Sequence, residues 1–301
     1  MTQILNANAV LHRLSRELPA ACRDQVIIVG SLAAAAQLIA GDETELRTKD
    51  IDGMIAPSAC VVATGSSLAT TLLERGWQAQ VDTDRFAHPA DAMTPDDKLP
   101  VVRLRPPGKD KDEWFLELLG APPVLAADAQ GRTRRSERVQ TPSSDFEIPS
   151  FAYLGVTQFR PVRHESQLLL ARVEMMALSN LLHHPSITDG RMHEPMDGLR
   201  IKRANKDLGR VIALAVLSDL QVEDVVRGWP ALWRQAMQEL DAPAQTVEML
   251  RSVNAGVHQL LQSPDDRMEA LHALNNGLLS SRPWTDQQLE IAIRRYLLWV
   301  E

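Results

Sequence analysis

The sequence predicts an α+β protein, with an α/β domain over residues 1–160 followed by an all-helical domain over residues 161–301. Three observations carry this expectation. The apolar run Val26-Ile27-Ile28-Val29 opens onto Gly30-Ser31 and a helix-forming stretch, which is a strand, turn and helix in succession. Short apolar segments bounded by turn residues then recur as far as Leu119. Beyond Phe151 the apolar positions return at helical spacing. At 301 residues the chain is long enough for each half to have its own core.

Taken in order, Leu11, Leu14 and Leu18 define an amphipathic helix over residues 5–18. The first strand is Val26–Val29. Residues 32–39 follow as a helix whose alanines permit close packing on a sheet, ending at Gly41-Asp42. Residues 50–55 read as a strand, 66–75 as a helix stopped by Gly76, and 77–81 as another strand. Residues 82–100 are polar and proline-bearing without periodicity, so a long loop or flap is expected. Strands over 101–104 and 114–119 flank the turn signal Pro106-Pro107-Gly108-Lys109-Asp110. Residues 121–150 are rich in Pro, Ser, Arg and Gln and carry a basic run from Arg132 to Arg138, as in a hairpin loop or a flexible excursion. Helices are expected over 164–183, 199–220, 230–240, 244–261, 264–275 and 285–300, with Trp229, Trp233, Trp284 and Trp299 in their apolar patterns.

Hydrophobic residues make up 45% of the chain and charged residues 24%, which is the composition of a soluble globular protein. No apolar run approaches the length of a membrane span, and the first residues lack a secretory signal pattern, so a cytoplasmic protein without membrane attachment is expected. Cys22 and Cys60 have no metal-ligand spacing and read as free packing thiols. A net charge of −7 argues against a broad nucleic-acid-coating surface. His183, His184 and His193 have no coherent metal spacing either.

The chemistry concentrates around residues 26–55. In a strand, residues two apart share a face, so Asp50 and Asp52 project together while Ile51 turns to the core. Two such carboxylates repel unless a cation sits between them. Gly30-Ser31 supplies the complement, because glycine lets backbone approach a ligand and a helix N-terminus offers free N–H groups to phosphate. Glu117, between Leu116 and Leu118, is a carboxylate in an apolar frame that needs compensation. It is either a third carboxylate of the site or the partner of Arg103 on the neighbouring strand. Carboxylates for metal beside amides for phosphate suggest a nucleotide–metal complex.

These residues resemble the nucleotidyltransferase superfamily, whose signature is an apolar strand, Gly-Ser, a helix and Asp-x-Asp on the next strand. Thr48-Lys49-Asp50-Ile51-Asp52 is similar to the form found in bacterial AbiEii-type toxins. Leu168-Leu169-Leu170-Ala171-Arg172 lies where such proteins carry a helix with a basic residue directed at the nucleotide. Lys202-Arg203-Ala204-Asn205-Lys206-Asp207-Leu208 resembles their Arg-x-x-Lys-Asp-Leu segment, which starts the next helix and braces the site. Arg210 stands where many relatives have a second Asp. The resemblance implies a nucleotidyltransferase-fold mixed sheet flanked by helices. It also implies two Mg2+ ions held by Asp50 and Asp52, with Glu117 completing the second site. Gly30, Ser31 and Arg172 would position the phosphates of an NTP substrate. An NMP would pass to a hydroxyl of an acceptor, a tRNA or a protein, in a toxin or defence role with an antitoxin partner. A catalytically inactive nucleotide-binding or scaffold protein on the same fold is the other reading, supported by Arg210 and by the sequence after Gly30-Ser31.

Overall fold

A computed structural model describes residues 4–39, 45–47, 50–108, 114–126, 134–184, 190–192 and 195–297. The helix end expected at Gly41-Asp42, the Thr48-Lys49 part of the motif, Lys109-Asp110, Arg132-Thr133, His193 and Trp299 lie outside the described residues. The chain opens with β1 (Ile4–Asn6) and α1 (Ala7–Glu17), where the Asn6 side chain caps the helix by accepting the Ala9 N–H at 2.8 Å. Leu11, Leu14 and Leu18 are buried, as their spacing requires. A short α2 (Ala20–Arg23) leads into β2 (Val26–Val29), α3 (Gly30–Leu38), β3 (Glu45–Arg47) and β4 (Asp50–Ile55). Next come α4 (Val61–Glu74), β5 (Gln78–Ala79), β6 (Arg103–Arg105) and β7 (Phe115–Gly120). Residues 82–100 form the expected connection, carrying one short 3-10 turn at Asp96–Lys98.

After β7 the chain forms β8 (Arg134–Gln140) and β9 (Asp145–Phe151), a hairpin paired from Arg134↔Phe151 to Gln140↔Asp145. Of the two forms expected for this polar stretch, its described part takes the hairpin. The helix expected over residues 164–183 is corrected more substantially. Val162–Arg163 and Leu169–Leu170 are strands β10 and β11, and α5 (Val173–His183) starts only after them. A leucine run has no periodicity to separate strand from helix; here the free edge of β2 decides, because Leu169 and Leu170 pair with Ile27 and Ile28.

The main sheet runs β10-β11-β2-β4-β7-β6-β5, with β9 joined to β7 and β8 to β9. It is mixed: β2 and β4 are antiparallel, while β4 and β7 are parallel. The four side chains of β2 are all buried, so this strand lies at the centre of the fold. The helical part continues with α6 (Arg203–Gln221), α7 (Trp229–Glu239), α8 (Ala244–Gln262), α9 (Pro264–Asn275) and α10 (Asp286–Tyr296). The sheet thus runs past the division expected at residue 160, through Leu170, and one buried cluster extends from Leu5 to Leu297. Among the described residues no helix is long and apolar enough to cross a membrane.

Candidate functional site

The strand register aligns the charged residues. Val29 pairs with Asp52, Asp52 with Glu117, and Glu117 with Arg103, so one row crosses β2, β4, β7 and β6. Residues directly opposite each other share a face of the sheet. Asp50 lies two residues before Asp52 and is exposed, whereas Ile51 is fully buried on the other face. Asp52 and Glu117 are half-buried. Gly30 immediately follows the row at Val29 and begins α3 with φ +76°; a Cβ there would lie 2.8 Å from Asp52 Oδ2. Only glycine lets the first turn of α3 come this close to the carboxylate. Ser31 is the half-buried second residue of the same helix.

The acids in this row are mutually unfavourable. Burial, followed by the charges of Glu117 and Asp50, pushes the Asp52 carboxyl from 3.8 up to about 7, against opposition from Arg210 and Lys206. Burial also raises Glu117, although the Arg103 Nε donates to its Oε2 at 2.6 Å. The pairing of Glu117 with Arg103 weighed from the sequence is therefore present. Facing the acids are two half-buried cations, Lys206 and Arg210, one turn apart on α6. The Arg210 charge, followed by burial, lowers the Lys206 amine from 10.5 to about 7.

Lys206 and Arg210 are the residues that sequence reasoning left out of the site, the first as a helix brace and the second as a departure from a motif. Their spacing of four on one helix carried the available signal. Replacing Lys206 by Met is expected to stabilise the folded protein. The folded pKa lies below the unfolded one, so the charged amine is penalised fully below pH 7 and progressively less up to pH 10.5. The gain, on the order of a few kcal/mol from the size of that shift, is greatest at or below pH 7 and shrinks toward pH 10. Urea unfolding of both proteins at pH 6.5 and about pH 10 checks this; an equal gain at both pH values would refute it.

Arg172 does not join this group. It precedes α5, its Nη2 donates to Glu174 Oε1 at 3.1 Å, and its buried Nε lacks a partner among the described residues. Its side chain lines a separate cavity of about 250 Å3 with Gln37, Ser218, Gln221 and Trp229. At the α-helical rise, Ser218 lies about 12 Å farther along α6 than Arg210.

Among the described residues, no group of three or more His, Cys, Asp or Glu is arranged to hold a metal ion. Asp50, Asp52 and Glu117 are not such a group; Glu117 stands opposite Asp52 and is ion-paired with Arg103. Asp50 and Asp52 do fit a single hydrated Mg2+, which characteristically takes one or two carboxylates and completes its shell with water and substrate phosphates. The donor set is the basis of this fit: the two carboxylates lie two residues apart on β4 and share a face, and a cation beside them would relieve part of what raises Asp52. Compared with protein-family models, curated proteins and solved structures, the chain finds no match.

Proposed function

We propose that this chain is a nucleotidyltransferase that binds the Mg2+ complex of a nucleoside triphosphate and transfers its NMP to a hydroxyl of an RNA or protein acceptor. One arrangement carries the reading: Asp52 stands opposite Glu117 on the neighbouring strand with Gly30 against its carboxylate, and Lys206 and Arg210 on α6 exert their charge on it. A metal–triphosphate complex brings positive charge to the acids and negative charge to the cations. A divalent cation held by Asp50 and Asp52 would neutralise phosphate charge and acidify an acceptor hydroxyl. The N–H groups of Gly30 and Ser31 open α3 and suit phosphate oxygens. Lys206 and Arg210 would offset the charge on the departing pyrophosphate. The Glu117 carboxyl, raised above its ordinary range by burial, suits a base that takes the acceptor proton. A toxin role and an antitoxin partner are supported by the motif resemblance alone.

A second reading, a nucleotide-binding protein without catalysis, is favoured by the ion pair that occupies Glu117. Calorimetry with each NTP, with and without Mg2+, tests what the two share: metal-dependent binding is expected, and its absence for every NTP overturns both. Incubation with α-labelled NTPs and total cellular RNA or protein then separates them. Transfer predicts a labelled acceptor with wild-type protein and none with Asp52→Ala. Binding without any label leaves the second reading standing and removes the first.

A further inference from the structure

We infer that the outer edge of β8 is an interface for a second copy of this chain, joined as an antiparallel strand pair centred on Ser136. The inference is independent of the proposed function. β8 runs for seven residues, Arg134–Gln140, and its strand partner among the described residues is β9 alone. The hydrogen bonds around β9 fix which way β8 faces. Asp145 N–H donates to the Ala90 carbonyl and Glu147 N–H to the Pro100 carbonyl, so both point away from β8. Their register neighbours Gln140 and Arg138 therefore direct their own N–H and C=O groups away from β9, and by alternation Ser136 and Arg134 do the same. At Gln140 this outer side is met by the Ser66 hydroxyl, 3.3 Å from the backbone nitrogen. From Arg134 to Arg138 no such partner occurs among the described residues, and Arg134, Ser136 and Glu137 are exposed. An edge in this state is a template for another strand.

Charges on an edge strand ordinarily discourage pairing, and here their arrangement selects the partner. Arg134 donates to Glu147 Oε1 at 2.8 Å, and Arg138 is held by Asp96 at 2.7 Å and Asp145 at 3.2 Å, so both are neutralised within the chain. Arg135 and Glu137 are not: they stand opposite Ser150 and Ile148, and neither forms an ion pair among the described residues. A two-fold antiparallel pairing centred on Ser136 sets outward-facing residues opposite each other, Ser136 to Ser136 and Arg134 to Arg138. It also places Arg135 opposite Glu137 of the second copy, twice, in the closer pairs that lack ladder hydrogen bonds. Centring the pairing on Arg135 or on Glu137 instead sets like charges opposite each other, which disfavours those two registers. The strand is thus complementary to itself about Ser136, and a second copy is the partner that this pattern fits.

Sedimentation velocity of the full-length protein from about 1 to about 100 μM tests the interface, since a pairing of this small size dissociates in that range. Wild type is expected to shift from monomer to dimer as concentration rises. Arg135→Glu and Glu137→Arg are each expected to weaken the dimer about tenfold or more, because either change puts two like-charged pairs across the two-fold axis. An equimolar mixture of the two variants is expected to associate again, since both acids of one chain then face both bases of the other. The double variant, which exchanges the two charges, is expected to dimerise as wild type does. A wild type that stays monomeric throughout would overturn the inference. So would a dimer that neither reversal weakens, or variants that are monomeric alone and stay so when mixed. Where a reversed variant does not fold, Ser136→Pro removes the outward N–H at the axis and leaves the β8–β9 ladder bonds in place. It is expected to be monomeric, and a dimer of wild-type strength would sink the idea.

Discussion

Asp52→Asn is expected to raise the stability of the folded protein above pH 7 while removing the Mg2+-dependent nucleotide binding proposed above. The carboxyl titrates at 3.8 in its ordinary state and at about 7 in the fold, where burial, Glu117 and Asp50 disfavour the charge. Below 3.8 both states are protonated and Asp52 costs nothing. Between 3.8 and about 7 the unfolded chain releases a proton that the folded chain retains, so stability falls as pH rises. Above about 7 the penalty is complete, roughly 4 kcal/mol at the conversion of 1.36 kcal/mol per pKa unit. Asparagine keeps the shape without the charge. The variant should therefore match wild type near pH 4 and exceed it at pH 8 in metal-free denaturant unfolding, and a gain of equal size at both pH values would refute the cause. Adding Mg2+ at pH 8 should return stability to wild type but not to Asp52→Asn.

Gly30→Ala should have a large effect in the opposite direction. Its backbone sits at φ +76°, and the new Cβ would lie 2.8 Å from Asp52 Oδ2, inside the contact distance of the two atoms. Left-handed strain and displacement of a half-buried carboxylate together should cost about 2–3 kcal/mol. Gly228→Ala is the control, because φ there is −79° and an added Cβ meets nothing within 4 Å. The two causes separate in an Asp52→Ala background, where the collision disappears and only backbone strain remains. Chemical denaturation of the four proteins should show a smaller cost for Gly30→Ala in that background. An identical cost in both would mean that the carboxylate is not what the methyl group meets. Under the proposed function, loss of NTP affinity is expected as well, because the first turn of α3 must shift.

The local parts of this protein could be read because they rest on short-range rules. Val26–Val29 is an unbroken apolar run and became the buried strand β2; Gly30 follows it at a positive φ where the turn into α3 was expected. Leu11, Leu14 and Leu18 fall on one helical face and are buried, and the Asp-Ile-Asp alternation put Ile51 in the core with the acids on the other side. The later helices were placed to within a few residues because their period of 3.6 is sustained.

What the tertiary structure alone decided concerns partners distant in sequence. Leu169 and Leu170 are strand because β2 offers them an edge, and no property of the leucines themselves selects that over helix. Arg172 consequently precedes α5, and it lines a cavity with Gln37 and Trp229. Glu117 could have joined Asp52 or Arg103 on sequence grounds; both are its register neighbours, and the ion pair goes to Arg103. Lys206 and Arg210 looked like helix bracing and a motif departure until the packing of α6 turned their face toward Asp52. Periodicity determines which face a residue occupies, but the electrostatic field at that face comes from other strands and helices. The sequence by itself therefore determined the candidate acids and the glycine beside them, and only the tertiary structure decided which cations oppose them.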